Sequence, residues 1–208
     1  MKIDTRRRFL AAITAALMCR RALARFGAFK CAADLPRGTR VRPVKLRRFE
    51  RLVDDGRIDE QATPELCWAA AIHAILVYHG SRMSQSEVVE RVKGKVTAAS
   101  NTGTVREIIR GLSPGSSGWF LDNGDCRAIV SDLQNGNPVL IGLRANGAEL
   151  GHIVVFYGVT YVANMMTGAT YIDRVNLWDP AQGEGIQRMG ACDLEDHVVF
   201  ALHSWRPR

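Results

Sequence analysis

The sequence predicts an α+β domain, a helical half followed by an antiparallel sheet. Three observations point there. Helix-starting residues recur through the first half, each ahead of apolar residues at helical spacing. From position 137 the texture changes to β-branched and aromatic runs bounded by Gly and Asn. The strands follow the helices rather than alternating with them, which separates this class from parallel βαβ folds.

The elements follow in order. Residues 25–60 are mixed and basic, with Pro36, Gly38, Pro43 and Gly56, and read as a loop-rich lead-in wrapping the domain. A helix is expected over 64–79, with Thr63 as N-cap, Pro64 in the first helical position, Glu65 at the positive dipole end and Gly80 as terminator. A second is expected over 84–93, where Ser84 and Glu87 form a capping box. A third is expected over 104–111, opened by Thr104. A fourth, over 125–135, is capped by Asp125, and Ile129, Val130 and Leu133 mark its apolar face. Strands are expected over 137–145, 152–162, 169–179 and 197–205. No internal repeat or low-complexity tract interrupts the pattern.

The chain has 208 residues, 47% hydrophobic and 24% charged, which suits one domain with a real core and is short for two. Its net charge of +7 is concentrated at the amino terminus. Residues 1–24 carry +5, from Lys2, Arg6, Arg7, Arg8, Arg20 and Arg21 against Asp4, leaving +2 for the remainder. That balance lacks the electrostatic footprint of a nucleic-acid binder. Thr5-Arg6-Arg7-Arg8-Phe9-Leu10 has the form of a twin-arginine export signal, followed by a short apolar run from Ala11 to Met18. That run is too short to span a bilayer, which needs about 20 apolar residues. Ala22-Leu23-Ala24 is a candidate cleavage site and Cys31-Ala32-Ala33 a second. The expected organisation is an export signal over 1–24, a lead-in or pro-segment over 25–55 and a catalytic domain over 56–208. The mature protein is then periplasmic or secreted, without stable membrane insertion.

Cys19 lies in the export segment. An oxidising compartment permits a disulfide among Cys31, Cys126 and Cys192, with the pairing left open. No CxxC spacing appears, so no structural zinc is expected.

Cys67 stands apart. It lies where a turn becomes an apolar helix, in Q61-ATPELCWAAAIHAILVYHG-80. The first turn of a helix offers unpaired backbone N–H groups and the positive dipole end, and both favour thiolate over thiol. A thiolate nucleophile needs an acid for the leaving group, usually histidine, and that histidine needs an orienting partner. His73 and His79 share a helix with Cys67 and do not fold back onto its first turn. Their spacing of six puts them on different helix faces, so they are poor joint metal ligands. His197 and His203 lie near the chain end and suit packing or solvation. His152 opens a strand directly after Gly151, and Asp179 closes the next strand ahead of Pro180. Adjacent antiparallel strands are expected to set those two side by side. Asn176 is the alternative orienter, but at three residues from Asp179 it faces the other way. Gln61 precedes the thiol by a short loop, so its amide and the Cys67 backbone N–H form a candidate oxyanion site.

Taken singly, each of these residues has a bland reading: a buried core thiol, a satisfied sheet histidine, a common Asp-Pro turn. Their order carries the specificity. Gln61 six positions before Cys67-Trp68, then Gly151-His152, then Trp178-Asp179-Pro180, resembles the papain-like cysteine peptidases. The similarity is greatest to the bacterial branch that includes bacteriocin-leader-processing and effector-type peptidases, where the third catalytic residue is Asp in an Asp-Pro pair. It spans roughly residues 55–185. It implies a helical subdomain bearing Cys67, a β subdomain bearing His152 and Asp179, and a cleft between them. It also implies peptide-bond hydrolysis through a thioester acyl-enzyme. Cys67 is then the nucleophile, His152 the general acid/base, Asp179 the orienter and Gln61 the oxyanion donor, with no metal or organic cofactor. The substrate is a peptide or protein. The Gly-rich run that precedes the nucleophile in plant and lysosomal papains is absent, and Pro64-Glu65-Leu66 stands there instead. Two other readings stand beside it: an amidase or deamidase acting on a non-protein amide with the same triad, and a non-catalytic binding module on this scaffold, which would require a lost nucleophile or base.

Overall fold

The computed structural model describes residues 29–32, 40–94, 108, 126–144, 151–164, 167 and 169–203. Among them are four helices and six strands. The elements run β1 (Arg42–Lys45), α1 (Arg47–Asp54), α2 (Cys67–Tyr78), α3 (Gln85–Lys93), α4 (Arg127–Gln134), β2 (Val139–Leu143), β3 (His152–Ala163), β4 (Thr170–Asp179), β5 (Gly185–Gly190) and β6 (Val198–His203). The α+β class expected from the sequence is the class observed.

All six strands join one sheet, ordered β5-β4-β3-β2-β6, with β1 also paired to β3. Every ladder is antiparallel. β2 pairs with the start of β3, from His152 to Phe156, and β1 takes over the same edge from Gly158 to Tyr161. The takeover needs close backbone approach at Gly158. A Cβ there would stand 2.9 Å from the Val44 carbonyl oxygen and 3.1 Å from Asn176 Nδ2. Only glycine fits between β1 and β4 at that point.

α2 lies against β3 and is buried almost throughout, from Trp68 to Ile75. Its sequence CWAAAIHAILVY is apolar around the whole circumference, which suits a helix enclosed on every side. The run Ala69-Ala70-Ala71 lets the axis approach the sheet closely. The helix starts later than the expected Pro64. Residues 63–66 instead form a turn in which the Leu66 N–H donates to the Thr63 carbonyl at 3.0 Å. Thr63 therefore closes a turn through its carbonyl and caps no helix with its hydroxyl, Leu66 is the N-cap, and Cys67 is the first helical residue. α3 is capped as the sequence requires: Ser84 accepts from the Glu87 N–H and the Glu87 side chain reaches back to the Ser84 N–H. The helix expected over 104–111 and the Asp125 cap lie outside the described residues, save for the buried helical Ile108.

Three elements depart from the sequence expectation. Where the lead-in was expected to be loop, Arg42–Lys45 is a sheet strand and Arg47–Asp54 a helix. Phe49 of α1 is fully buried and stacks on Tyr157 at 5.3 Å and 8°, edge-on to Trp178 at 6.5 Å. β5 forms from GIQRMG, which carries no alternating pattern, because β4 offers it a ladder from Arg174 to Asp179.

Cys31 and Cys192 form a disulfide across a sequence separation of 161, while Cys126 stays a buried thiol whose Sγ accepts from the Lys30 N–H at 3.3 Å. Residues 29–32 follow β4 beyond the point where β5 stops. The Ile172 N–H donates to the Lys30 carbonyl at 3.0 Å, and the Ala32 N–H donates to the Ile172 carbonyl at 2.9 Å. Phe29 anchors this strap in the core, edge-on to Phe156. No helix among the described residues is long and apolar enough to cross a membrane.

Candidate active site

The site forms where the start of α2 meets the adjacent ends of β3 and β4. As the first helical residue, Cys67 belongs to the first-turn set whose N–H groups have no intrahelical acceptor. Its side chain is half-buried, whereas Trp68 beside it is packed into the core.

His152 is the first residue of β3, opposite Leu143 of β2. Asp179 is the last residue of β4. Trp178 pairs with Val155, so one further step sets Asp179 opposite Val154. Asp179 thus meets His152 diagonally on the same sheet face, rather than side by side as the alternation implied. The His152 Nε2–H donates to Asp179 Oδ1 at 2.7 Å. That bond leaves Nδ1 as the ring nitrogen available to Cys67, which helps draw the ring toward its charged form. Asp179 is 1% exposed and its Oδ1 also accepts from the Ala181 N–H at 2.8 Å. Two donors on one oxygen hold the carboxylate in place, and Pro180 sets the turn that delivers the second.

Burial by itself pushes the His152 ring toward the neutral form. The hydrogen bonds to Asp179 and Cys67, with the negative charge of each, outweigh it and carry the pKa from 6.5 to about 10. The folded chain therefore holds this proton more tightly than the unfolded chain does. The resulting contribution to stability is fully present below pH 6.5 and is lost as pH rises through about 10. NMR of the His152 ring should show a midpoint near pH 10, moved down toward 6.5 in Asp179→Asn and again in Cys67→Ala. A wild-type midpoint at 6.5 would sink this account of the ring's surroundings.

Gln61 lies beside the same turn. Its backbone N–H donates to the Pro180 carbonyl at 2.7 Å, so the loop before Cys67 is tied to the turn after Asp179. The side chain is buried, and its Oε1 has no hydrogen-bond partner among the described residues. All four residues singled out from the sequence thus lie on segments joined by hydrogen bonds. Asn176, the alternative orienter, pairs with Gly158 farther along β4. The other histidines with described side chains have other surroundings. The His73 Nδ1–H donates to the Met83 carbonyl at 2.7 Å, His79 lies edge-on to Tyr78, and His197 Nδ1 lies 3.4 Å from the Arg144 carbonyl. Sequence reasoning missed the Pro180 carbonyl and the Ala181 N–H, since backbone groups leave no mark in residue identity. Among the described residues, no group of three or more His, Cys, Asp or Glu is placed to hold a metal ion.

The chain matches the model of the family described as papain-like cysteine protease AvrRpt2 over residues 52–191, which includes Gln61, Cys67, His152 and Asp179. No curated protein sequence matches it significantly. Among solved structures it is similar to the peptidase domain of Streptococcus ComA, a bi-functional ABC transporter involved in a quorum-sensing pathway. That likeness has a TM-score of 0.53 at 14% identity, covering 72% of this chain and 97% of the other, and is one of fold. With two thirds of its length under the family model, and an α+β fold that this solved peptidase domain shares, the chain belongs to the papain-like cysteine protease AvrRpt2 family and is a cysteine peptidase.

Proposed function

We propose that the enzyme cleaves peptide bonds through a thioester on Cys67, with His152 as general acid and base, Asp179 as its orienter, and Gln61 with the Cys67 N–H as oxyanion donors. The observation that carries this reading is the placement of His152, bonded to Asp179 through Nε2 and near enough to Cys67 for that side chain to help hold its ring charged. The Cys67 thiolate adds to the substrate carbonyl carbon, forming a C–S bond and moving the carbonyl electron pair onto oxygen. Collapse breaks the C–N bond, and the His152 imidazolium gives its proton to the departing amine. Neutral His152 then takes a proton from water as the hydroxide adds to the thioester. The second collapse expels the thiolate and releases the carboxylic acid. Asp179 holds one tautomer throughout and stabilises the imidazolium.

An epoxide warhead of the kind that traps papain-like thiols tests the nucleophile–base pair, with peptide mass spectrometry as the readout. Labelling should fall on Cys67 alone, sparing buried Cys126, and should be lost in His152→Ala. Equal labelling of Cys67 and Cys126, or labelling indifferent to His152, would remove the basis for the mechanism.

We also propose that the enzyme acts after export. The Arg6-Arg7-Arg8 motif and the Cys31–Cys192 disulfide support this, since such bonds persist in oxidising compartments. The disulfide favours cleavage after Ala24 over cleavage after Ala33, which would discard Cys31.

A further inference from the structure

The loop bearing Gln61 belongs to no helix or strand, yet an oxyanion donor has to lie within about 2.7–3.1 Å of an oxygen that exists only in the transition state. One side chain outside the triad holds that loop on both sides. Gln85, the first residue of α3, donates from Nε2 to the carbonyls of Asp59 at 3.0 Å and Glu60 at 2.8 Å. Its Oε1 accepts from the Ala62 N–H at 3.3 Å. These three bonds straddle Gln61, whose own N–H is taken by Pro180. The clamp is referenced to the nucleophile helix, because His73 of α2 holds the Met83 carbonyl just ahead of α3. The start of α3 does not need Gln85, since Ser84 and Glu87 already cap it.

We propose that Gln85 is a positioning residue that sets the Gln61 amide for transition-state stabilisation by clamping the 59–62 backbone. The inference rests on the reading of Gln61 as an oxyanion donor. An oxyanion interaction is strongest in the transition state, so loss of the clamp appears in kcat and leaves KM nearly unchanged. A misplacement of about 1 Å is enough to cost roughly 100-fold.

The test compares Gln85→Ala and Gln85→Glu, in wild-type and Gln61→Ala backgrounds, on a peptide substrate and on alkylation of Cys67 by iodoacetamide. Alkylation creates no oxyanion, so it reports on folding and the nucleophile alone. Glu keeps the length of Gln and places an acid favourably at a helix start, but it loses both donors and turns a carboxylate toward two carbonyls. Both Gln85 variants should lower kcat about 10- to 100-fold, with KM and alkylation within about twofold of wild type. Gln61→Ala should lower kcat about 100- to 1,000-fold, and adding Gln85→Ala to it should cost less than about twofold more. A Gln85→Glu enzyme at the wild-type rate, or a full multiplicative loss in the Gln61→Ala background, would overturn the proposal. If Gln61→Ala is slow while both Gln85 variants are normal, the clamp fails and the oxyanion reading stands. If Gln61→Ala is itself normal, the oxyanion reading fails and takes the clamp with it.

Discussion

Cys67→Ala should lower kcat for peptide hydrolysis by at least about 10⁴-fold, and His152→Ala by a comparable factor. Alanine is the best helix former and position 67 opens a helix enclosed by the core, so Cys67→Ala should stay folded and melt only somewhat below wild type, by the share of the His152 stabilisation that Cys67 supplies. On the proposed mechanism the two side chains act as one unit: without the thiolate there is no acyl-enzyme, and without the ring no proton reaches the leaving amine. The double variant should therefore be no slower than the worse single variant. Turnover of a fluorogenic peptide library, with thermal melts as controls, measures both statements. Cys67→Ala retaining even about 1% of wild-type kcat, or losses that multiply, would mean that another group carries the reaction.

The second large effect concerns stability. Cys192→Ser should destabilise the fold by about 3–5 kcal/mol, because the bond closes a loop of 161 residues and greatly restricts the unfolded chain. For a domain of this size that is a fall in Tm of roughly 10–15 °C. Cys192 is exposed, so a reductant should reach the bond without prior unfolding and lower wild type to the level of the variant. Catalysis well below the melt should persist, since the strap lies along β4 near Ile172 and not at the Asp179 end. A change below about 1 kcal/mol, or no response to reductant, would show that Phe29 and the backbone bonds hold the strap unaided.

Much of this was legible in the sequence, and the reasons differ from place to place. Strands β2, β3 and β4 announce themselves because their composition is β-branched and their ends are punctuated. The same punctuation isolates His152 and Asp179 at strand ends, which is why two residues 27 apart could be paired on paper and meet at 2.7 Å in space. α1 was hidden because RRFERLVD has few apolar residues and owes its helix to Phe49 entering an aromatic cluster built by β3 and β4. Long-range packing of that kind overrides local propensity. The start of α2 was misplaced because Thr63-Pro64-Glu65 satisfies the rules of a helix start, while the Thr63–Leu66 bond spends those residues on a turn. The Gln85 contacts cross about 25 positions between two polar stretches, and no periodicity records such a meeting.

The Cys31–Cys192 bond makes most of the chain a covalent ring. A peptidase at working concentration is also its own nearest substrate. A single cut anywhere between those cysteines opens the ring without releasing a fragment, and both halves stay docked through the sheet. Nicked molecules would then keep their size and their activity until a reductant and a denaturant together separate the pieces. Wear in this enzyme would accumulate silently, visible on a reducing gel long before it showed in an assay.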